Sequence, residues 1–299
     1  MLTTIAAGRV YNFSHAVGRN AFSGPGFHQP SALALTENGV AYVISRGNEI
    51  SFGTRVSKIT IWPPGEEQLL GEFGLYGDKD EELLWPTSIA LDRDGNVYVA
   101  DEWTQRISIF DTDGNFLYKW GTCGSGDGEL SWPSGMVFDA HEDLFIVDSF
   151  NNRVQKFTKD GIFLAKFGNT GNRKGEFNMP WGITIGNQGE IYVADWKNHR
   201  IQKFSPDGSF LASFGSFGTG VGELNHPTDV AIDSEDDVYA CDWENHRIQI
   251  FAPDGDVITS LMGDAQSMSK WGQDKLVANP DMIKARRRVK SLEPDWRFF

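Results

Sequence analysis

Four aromatic side chains stand in four comparable loops of this chain: Trp103 within Asp101–Arg106, Phe150 within Asp148–Arg153, Trp196 within Asp195–Arg200 and Trp243 within Asp242–Arg247. Gathered on one face, such rings could stack a sugar, a peptide or a planar substrate, since each brings a large apolar area and a quadrupolar face. The competing reading is that they recur because the loop recurs, and pack one unit against the next. The Asp and Arg that bracket each loop suit a structural task, the arginine bridging backbone and carboxylate. Two residues break the pattern. Trp181 follows a proline where the equivalent positions hold Ser31, Thr87, Ser134 and Thr228, and Asp229 stands in register with Gly135 and Gly182. A residue that departs from a repeat is a better candidate for function than one that keeps it.

Metal and cofactor chemistry find little footing. Zinc needs three protein ligands converging on one point. Of the six histidines, His199 and His246 lie inside a recurring signature, His28 and His226 precede prolines by one or two residues, and His15 and His141 stand alone. Asp92–Asn96 and Asp111–Asn115 imitate the start of a calcium loop. Both lack a third oxygen ligand and the glutamate at position twelve, and read as hairpin turns. Gly-x-Ser-x-Gly, P-loop and Cys-x-x-Cys patterns are absent. The expectation is no metal and no cofactor.

The elements that must position these residues follow from a repeat. Prolines 30, 86, 133, 180 and 227 are spaced by 56, 47, 47 and 47 residues. A fixed period of this length marks an array of units, none able to bury its own apolar face alone. Within residues 180–226, four short strands are expected around 182–185, 191–194, 200–204 and 210–214, with Asp207-Gly208 as a tight turn that needs positive φ. Four antiparallel strands per unit, radially repeated, make a β-propeller blade. The anchor prolines sit just before the inner strands, where a missing N–H costs little. The Asp-Gly turns fall on one face. The connectors and the loops bearing the aromatics fall on the other, which is the expected site face.

Composition narrows the partners. The 299 residues carry a net charge of −14, which repels a phosphate backbone and argues against nucleic acid as partner. No stretch approaches the apolar length of a membrane span, and the N-terminus lacks the basic and apolar regions of a secretory leader. The two cysteines, Cys123 and Cys241, occupy different places in different units. Two unpaired thiols fit a reducing compartment, and the chain reads as soluble and cytoplasmic. Its oligomeric state is left open.

The signature residues carry a resemblance. Gly-Glu-Leu-Asn-His-Pro (222–227), Tyr-Val-Ala-Asp (192–195) and Asn-His-Arg-Ile-Gln-Lys-Phe (198–204) resemble the NHL repeat, and Asn245-His246-Arg247-Ile248-Gln249 repeats it. Asn152-Arg153-Val154-Gln155 is a close variant and Gln105-Arg106-Ile107 a weaker one. The resemblance covers roughly residues 8–263 and implies a six-bladed propeller. More distantly, Ser45-Arg46-Gly47-Asn48-Glu49 resembles the Arg-Gly-Asp segment of the peptidyl-hydroxyglycine amidating lyases, in which the arginine handles the substrate. Arg46 is the matching position, Asn48 departs from the acid, and the histidines that follow those enzymes' anchor prolines are missing here. The extra nine residues of the first unit are placed near this segment. Gluconolactonase-like propellers bind metal through acids and amides at strand entrances, where only Asp229 could serve.

Five full units are present, 30–85, 86–132, 133–179, 180–226 and 227–263, and Arg9–Phe13 resembles the last strand of another. The expectation is therefore an all-β propeller of six-bladed architecture, with five full blades and an N-terminal outer strand over 1–263, missing three strands of the sixth. The rival is a ring of five. Residues 264–299 read as a helical C-terminal extension, with Asn279 as N-cap, Pro280 at the first helical position and a basic cluster over 284–290. The leading functional expectation is a binding or scaffold propeller for a peptide, a protein segment or a small ligand, through Arg46, Trp103, Phe150, Trp181, Trp196, Asp229 and Trp243. The alternative is a lyase or hydrolase of the amidating-lyase or lactonase kind at the channel.

Overall fold

The computed structural model describes residues 3–47, 53–262 and 268–279. It contains five four-stranded antiparallel sheets, each a simple meander in chain order. Their inner strands are Pro30–Leu35, Pro86–Leu91, Pro133–Phe138, Pro180–Ile185 and Pro227–Ile232. Each anchor proline is thus the first residue of its inner strand. Blade four shows the plan: Pro180–Ile185, Ile191–Asp195, Arg200–Phe204 and Phe210–Phe214. The turn glycine Gly208 has φ +85 and carries the hairpin between the last two strands.

The blades stack through apolar faces, as a repeat with incomplete units requires. Tyr42, Ile44 and Val56 of blade one meet Val97, Val99 and Phe110 of blade two. The same kind of seam, built from β-branched residues and phenylalanines, joins blades two and three, three and four, and four and five. Each connector between blades is pinned by one parallel bridge, such as Cys123 to Leu130 and Phe217 to Leu224. Leu83, Leu130, Phe177 and Leu224 plug these connectors with no exposed surface. A matching bridge, Asn20 to Phe27, leads into blade one.

The sixth position is occupied differently. Thr3–Ala6 and Arg9–Asn12 pair with each other as a hairpin, so the N-terminal strand expected at Arg9–Phe13 joins a partner of its own. Arg9 reaches blade five through an ion pair with Asp237. On the other side, the helix Lys270–Val277 lays Trp271 over Ala41, Val43 and Ile59 of blade one. The inner strands of blades one and five are not packed as neighbours in the way the other four successive pairs are. Leu33 and Leu35 on the first inner strand remain 61% and 55% exposed.

Two details differ from expectation. The extra length of blade one is divided between two places: between the strand ends Ser45 and Arg55, where blade two has only 102–105, and in the hairpin 61–68, where blade two has 111–115. The C-terminal helix is capped by Ser269, whose hydroxyl accepts from the Gly272 N–H. Asn279 lies just past the end of that helix and donates to the Lys275 carbonyl. The helix expected to start at Asn279, its basic cluster, and Asn48 and Glu49 lie outside the described residues. Among the described residues no helix is long and apolar enough to cross a membrane.

Candidate functional site

The repeat signature builds the rim. In blade four the Asp195 carboxylate accepts from the Asn178 backbone N–H at 2.8 Å, and from Asn198 Nδ2, Arg200 Nε and Gln202 Nε2 at 2.9, 2.9 and 3.1 Å. Arg200 also donates to the carbonyls of Arg173 and Glu176 in the preceding connector. Blades three and five repeat this network through Asp148 and Asp242. The buried carboxylate is surrounded by donors, which is the condition for burying a charge. The Asp and Arg of each loop are therefore structural, as the sequence suggests. Blade two has Thr104 and Ser108 where the others have Asn and Gln, and Arg106 Nε and both hydroxyls are left without partners.

The signature histidine is also accounted for. Asn152, His199 and His246 all sit at φ near +53 to +55, a left-handed conformation that Asn and His tolerate better than most residues. From there Asn152 Oδ1 accepts the Met179 N–H at 2.7 Å and His199 Nδ1 accepts the His226 N–H at 3.2 Å, joining neighbouring blades. Among the described residues no group of three or more His, Cys, Asp or Glu is placed to hold a metal.

On these loops the residue directly after the signature acid faces the centre. Those residues are Glu102, Ser149, Trp196 and Trp243, and Arg46 holds the same position in blade one, where Ser45 replaces the acid; all five line a single recess of about 350 Å³. Its remaining wall comes from Ser134, Phe150, Pro180, Trp181 and the residues before three anchor prolines, Trp85, Trp132 and Met179. The volume falls within the usual range of ligand pockets. One side is polar: Arg46 is ion-paired to Glu102 and lies 4.9 Å above the Trp85 ring. Burial pushes the Glu102 carboxyl above its ordinary value, and Arg46 opposes that shift. The other side is aromatic: Trp181 and Trp196 meet nearly perpendicular, at 84° and 5.6 Å between centroids.

Of the expected site residues, Arg46, Phe150, Trp181, Trp196 and Trp243 are brought together here. Trp103 is not. It stands outside the recess, packed at 5.3 Å behind Trp85. Trp103 and Phe150 lie two residues after their acids, whereas Trp196 and Trp243 lie one after. Phe150 reaches the recess by stacking on Trp132 at 4.3 Å. Strict register, counted from each acid, would have found Glu102 and Ser149; the tryptophans preceding Pro86 and Pro133 were equally visible. Asp229 is on the inner strand of blade five, outside the recess lining. It lies against Gly182, where a Cβ would fall 2.2 Å from its Oδ1. It accepts from the Val230 N–H at 2.9 Å, and the strands around it push its carboxyl up to about 6, although water still reaches it.

Trp181 breaks a working contact. In blades one to three the residue after the anchor proline is a hydroxyl that donates to the next blade's inner strand: Ser31 to the Pro86 carbonyl, Thr87 to Pro133 and Ser134 to Trp181. A tryptophan at the fourth position gives up that bond and turns an indole into the recess.

Comparison with known proteins agrees with this architecture. Residues 177–204 and 224–251 match the model of the NHL repeat, and 79–154 match a family described as a 6-bladed β-propeller. Protein lin-41 of Caenorhabditis elegans is 49% identical over 47 residues, which is 16% of this chain and 4% of the relative's own length. Among solved structures, the nidogen/laminin complex superposes at TM-score 0.58 with 18% identity, over 81% of this chain and 83% of that one. A streptogramin B lyase superposes at 0.57 with 13% identity, over 79% and 69%. At such identities the likeness is one of fold. This chain is an all-β propeller of five detected blades, carrying NHL repeats.

Proposed function

We propose that this propeller is a binding module whose loop face takes an apolar or aromatic group of a peptide, a protein segment or a small ligand. The observation that carries the reading is the convergence of one loop residue from every blade on a recess walled by six aromatic rings. Inter-blade packing accounts for Trp103 behind Trp85. It does not account for Trp181, which replaces an inter-blade hydrogen bond with an indole facing the recess. Buried aromatic anchors on a rigid frame are what recognition sites use for affinity, with a few polar groups setting orientation. The net charge of −14 disfavours a nucleic-acid partner. A cytoplasmic setting accords with Cys123 and Cys241, both unpaired.

The rival reading is a lyase or hydrolase working in the same recess. The observation favouring it is the Arg46–Glu102 pair, a buried carboxyl with a raised pKa beside a cation.

A peptide array probed with the intact protein tests the binding reading. Trp243→Ala removes a half-exposed indole and should leave the fold intact. Trp181→Ala removes the repeat-breaking one. Both variants should lose at least tenfold in affinity for the captured peptides while Tm changes little. Peptides that bind wild type and both variants equally would place recognition elsewhere.

A further inference from the structure

We propose that the segment this recess takes is proline-rich and bound in the extended polyproline II conformation. This rests on the binding reading above and names its partner.

The polar groups around the recess are lopsided. Its main-chain acceptors are already used. The Trp85 carbonyl accepts the Glu102 N–H at 3.0 Å, and the Trp132 carbonyl accepts the Ser149 N–H at 3.3 Å. The Pro180 and Trp181 carbonyls accept the hydroxyls of Ser149 and Ser134 at 2.6 and 2.8 Å, which also uses up those hydroxyl protons. Glu102 is the one carboxylate among the lining residues, and it is bound to Arg46.

Donors, in contrast, are left over. Among the described residues Trp120, far from the recess lining, is the one tryptophan whose indole N–H finds a partner, the Lys159 carbonyl. Trp196 is a closed wall: Lys197 lies over its ring, His226 packs against it, and its Nε1 is sealed in without a partner. The indole N–H groups of Trp85, Trp132 and Trp181 are not sealed in this way, and Trp243 is half-exposed.

An ordinary peptide matches such a surface poorly. It brings one N–H with every carbonyl, and an N–H buried in the recess without an acceptor costs free energy. Proline brings a carbonyl and no N–H. A run of prolines adopts polyproline II, whose carbonyls have no internal partner and stand free for an indole N–H. Its rings are apolar and already rigid, so aromatic walls bury them with little loss of conformational freedom. Aromatic-lined grooves bind such segments for these reasons. The lining is also laid out in series. Trp85, Trp132 and Met179 hold the same place before the anchor prolines of blades two, three and four, so it follows the ring from blade to blade, as an extended segment requires.

The test is calorimetric titration of the full chain with acetyl-hexaproline amide, acetyl-hexaalanine amide and acetyl-Gly-Phe-Gly amide. Hexaproline should bind at least tenfold more tightly than hexaalanine, which has the same length and a donor at every residue. Trp132→Phe and Trp181→Phe each keep a ring and remove its N–H. Each should weaken hexaproline at least threefold with Tm little changed. Equal affinity for hexaproline and hexaalanine, or a hexaproline affinity unchanged in both variants, would overturn the inference. Preference for the phenylalanine peptide over hexaproline would also overturn it, while leaving the recess as a binding site for aromatic groups. If the peptide array yields no ligand and none of these three peptides binds, the binding reading falls as well.

Discussion

Asp229 and Gly182 show how one side chain fixes its neighbour. A Cβ on Gly182 would fall 2.2 Å from Asp229 Oδ1, 2.6 Å from Asp229 Cα and 2.7 Å from the Thr228 carbonyl. The side chain can move, but the two backbone atoms cannot without shifting the inner strand. Gly182→Ala should therefore lower the free energy of unfolding by about 2 kcal/mol, an overpacking cost measurable by urea denaturation. Asp229 itself has a pH signature. Its carboxyl rises from the ordinary 3.8 to about 6 on folding, so the folded chain holds that proton more tightly than the unfolded one. The associated stability is present below 3.8 and is lost as pH rises through 6. Asp229→Asn should thus stabilise the protein at pH 7.5, and the gain should vanish as pH falls toward 4. Access of water holds that gain to about 1 kcal/mol. At this scale the sequence was partly legible. Trp181 and Asp229 stood out because they break the repeat, whereas Glu102 and Ser149 stayed hidden because only their position, one residue after the acid, aims them inward.

The loop between the second and third strands is the element on which the site depends. Asp195 is fully buried and holds together a backbone N–H, an amide, a guanidinium and a second amide from four different positions. Removing it strands the Asn178 N–H and Arg200 Nε in a water-poor setting, whereas Asn198 and Gln202 keep the carbonyls of Gly171 and Glu176. Asp195→Ala should cost about 3–5 kcal/mol, as breaking a buried ion pair does, and should release the connector that Arg200 grips through the carbonyls of Arg173 and Glu176. Hydrogen exchange would report this as lost protection around 171–178, ahead of the rest of the blade. The strands themselves were legible from period-two alternation and Asp-Gly turns, since those cues act within a few residues. The hairpin Thr3–Ala6 with Arg9–Asn12 was not. A strand resembling the last of a blade pairs with whatever strand lies beside it, and its flanking sequence offered a local partner.

Across the molecule, four seams between successive blades are alike, and the closure between blades five and one is not. The sequence period announced the alike seams, because each unit repeats the same apolar faces. The unlike one is built from segments outside the period, and so no alternation or spacing could announce it. Blade one ends in a face that a neighbouring blade would otherwise cover, formed by Ala41, Val43 and Ile59. Trp271 covers it instead, 6% exposed, with Phe27 packed at 6.3 Å between ring centroids. The helix that delivers Trp271 is eight residues long, too short to be stable alone; the indole holds it on the blade, together with the Lys270 ammonium, which donates to the Glu67 carbonyl at 3.0 Å. Trp271→Ala should cost about 3–4 kcal/mol through lost burial and the cavity left behind. The loss should be local, because nearest-neighbour coupling governs repeat arrays. Native-state hydrogen exchange should show blade one, whose inner strand already exposes Leu33 and Leu35, losing protection first, with blades three and four unchanged. A uniform loss across all five blades would instead mean that the helix closes the whole array into one cooperative unit.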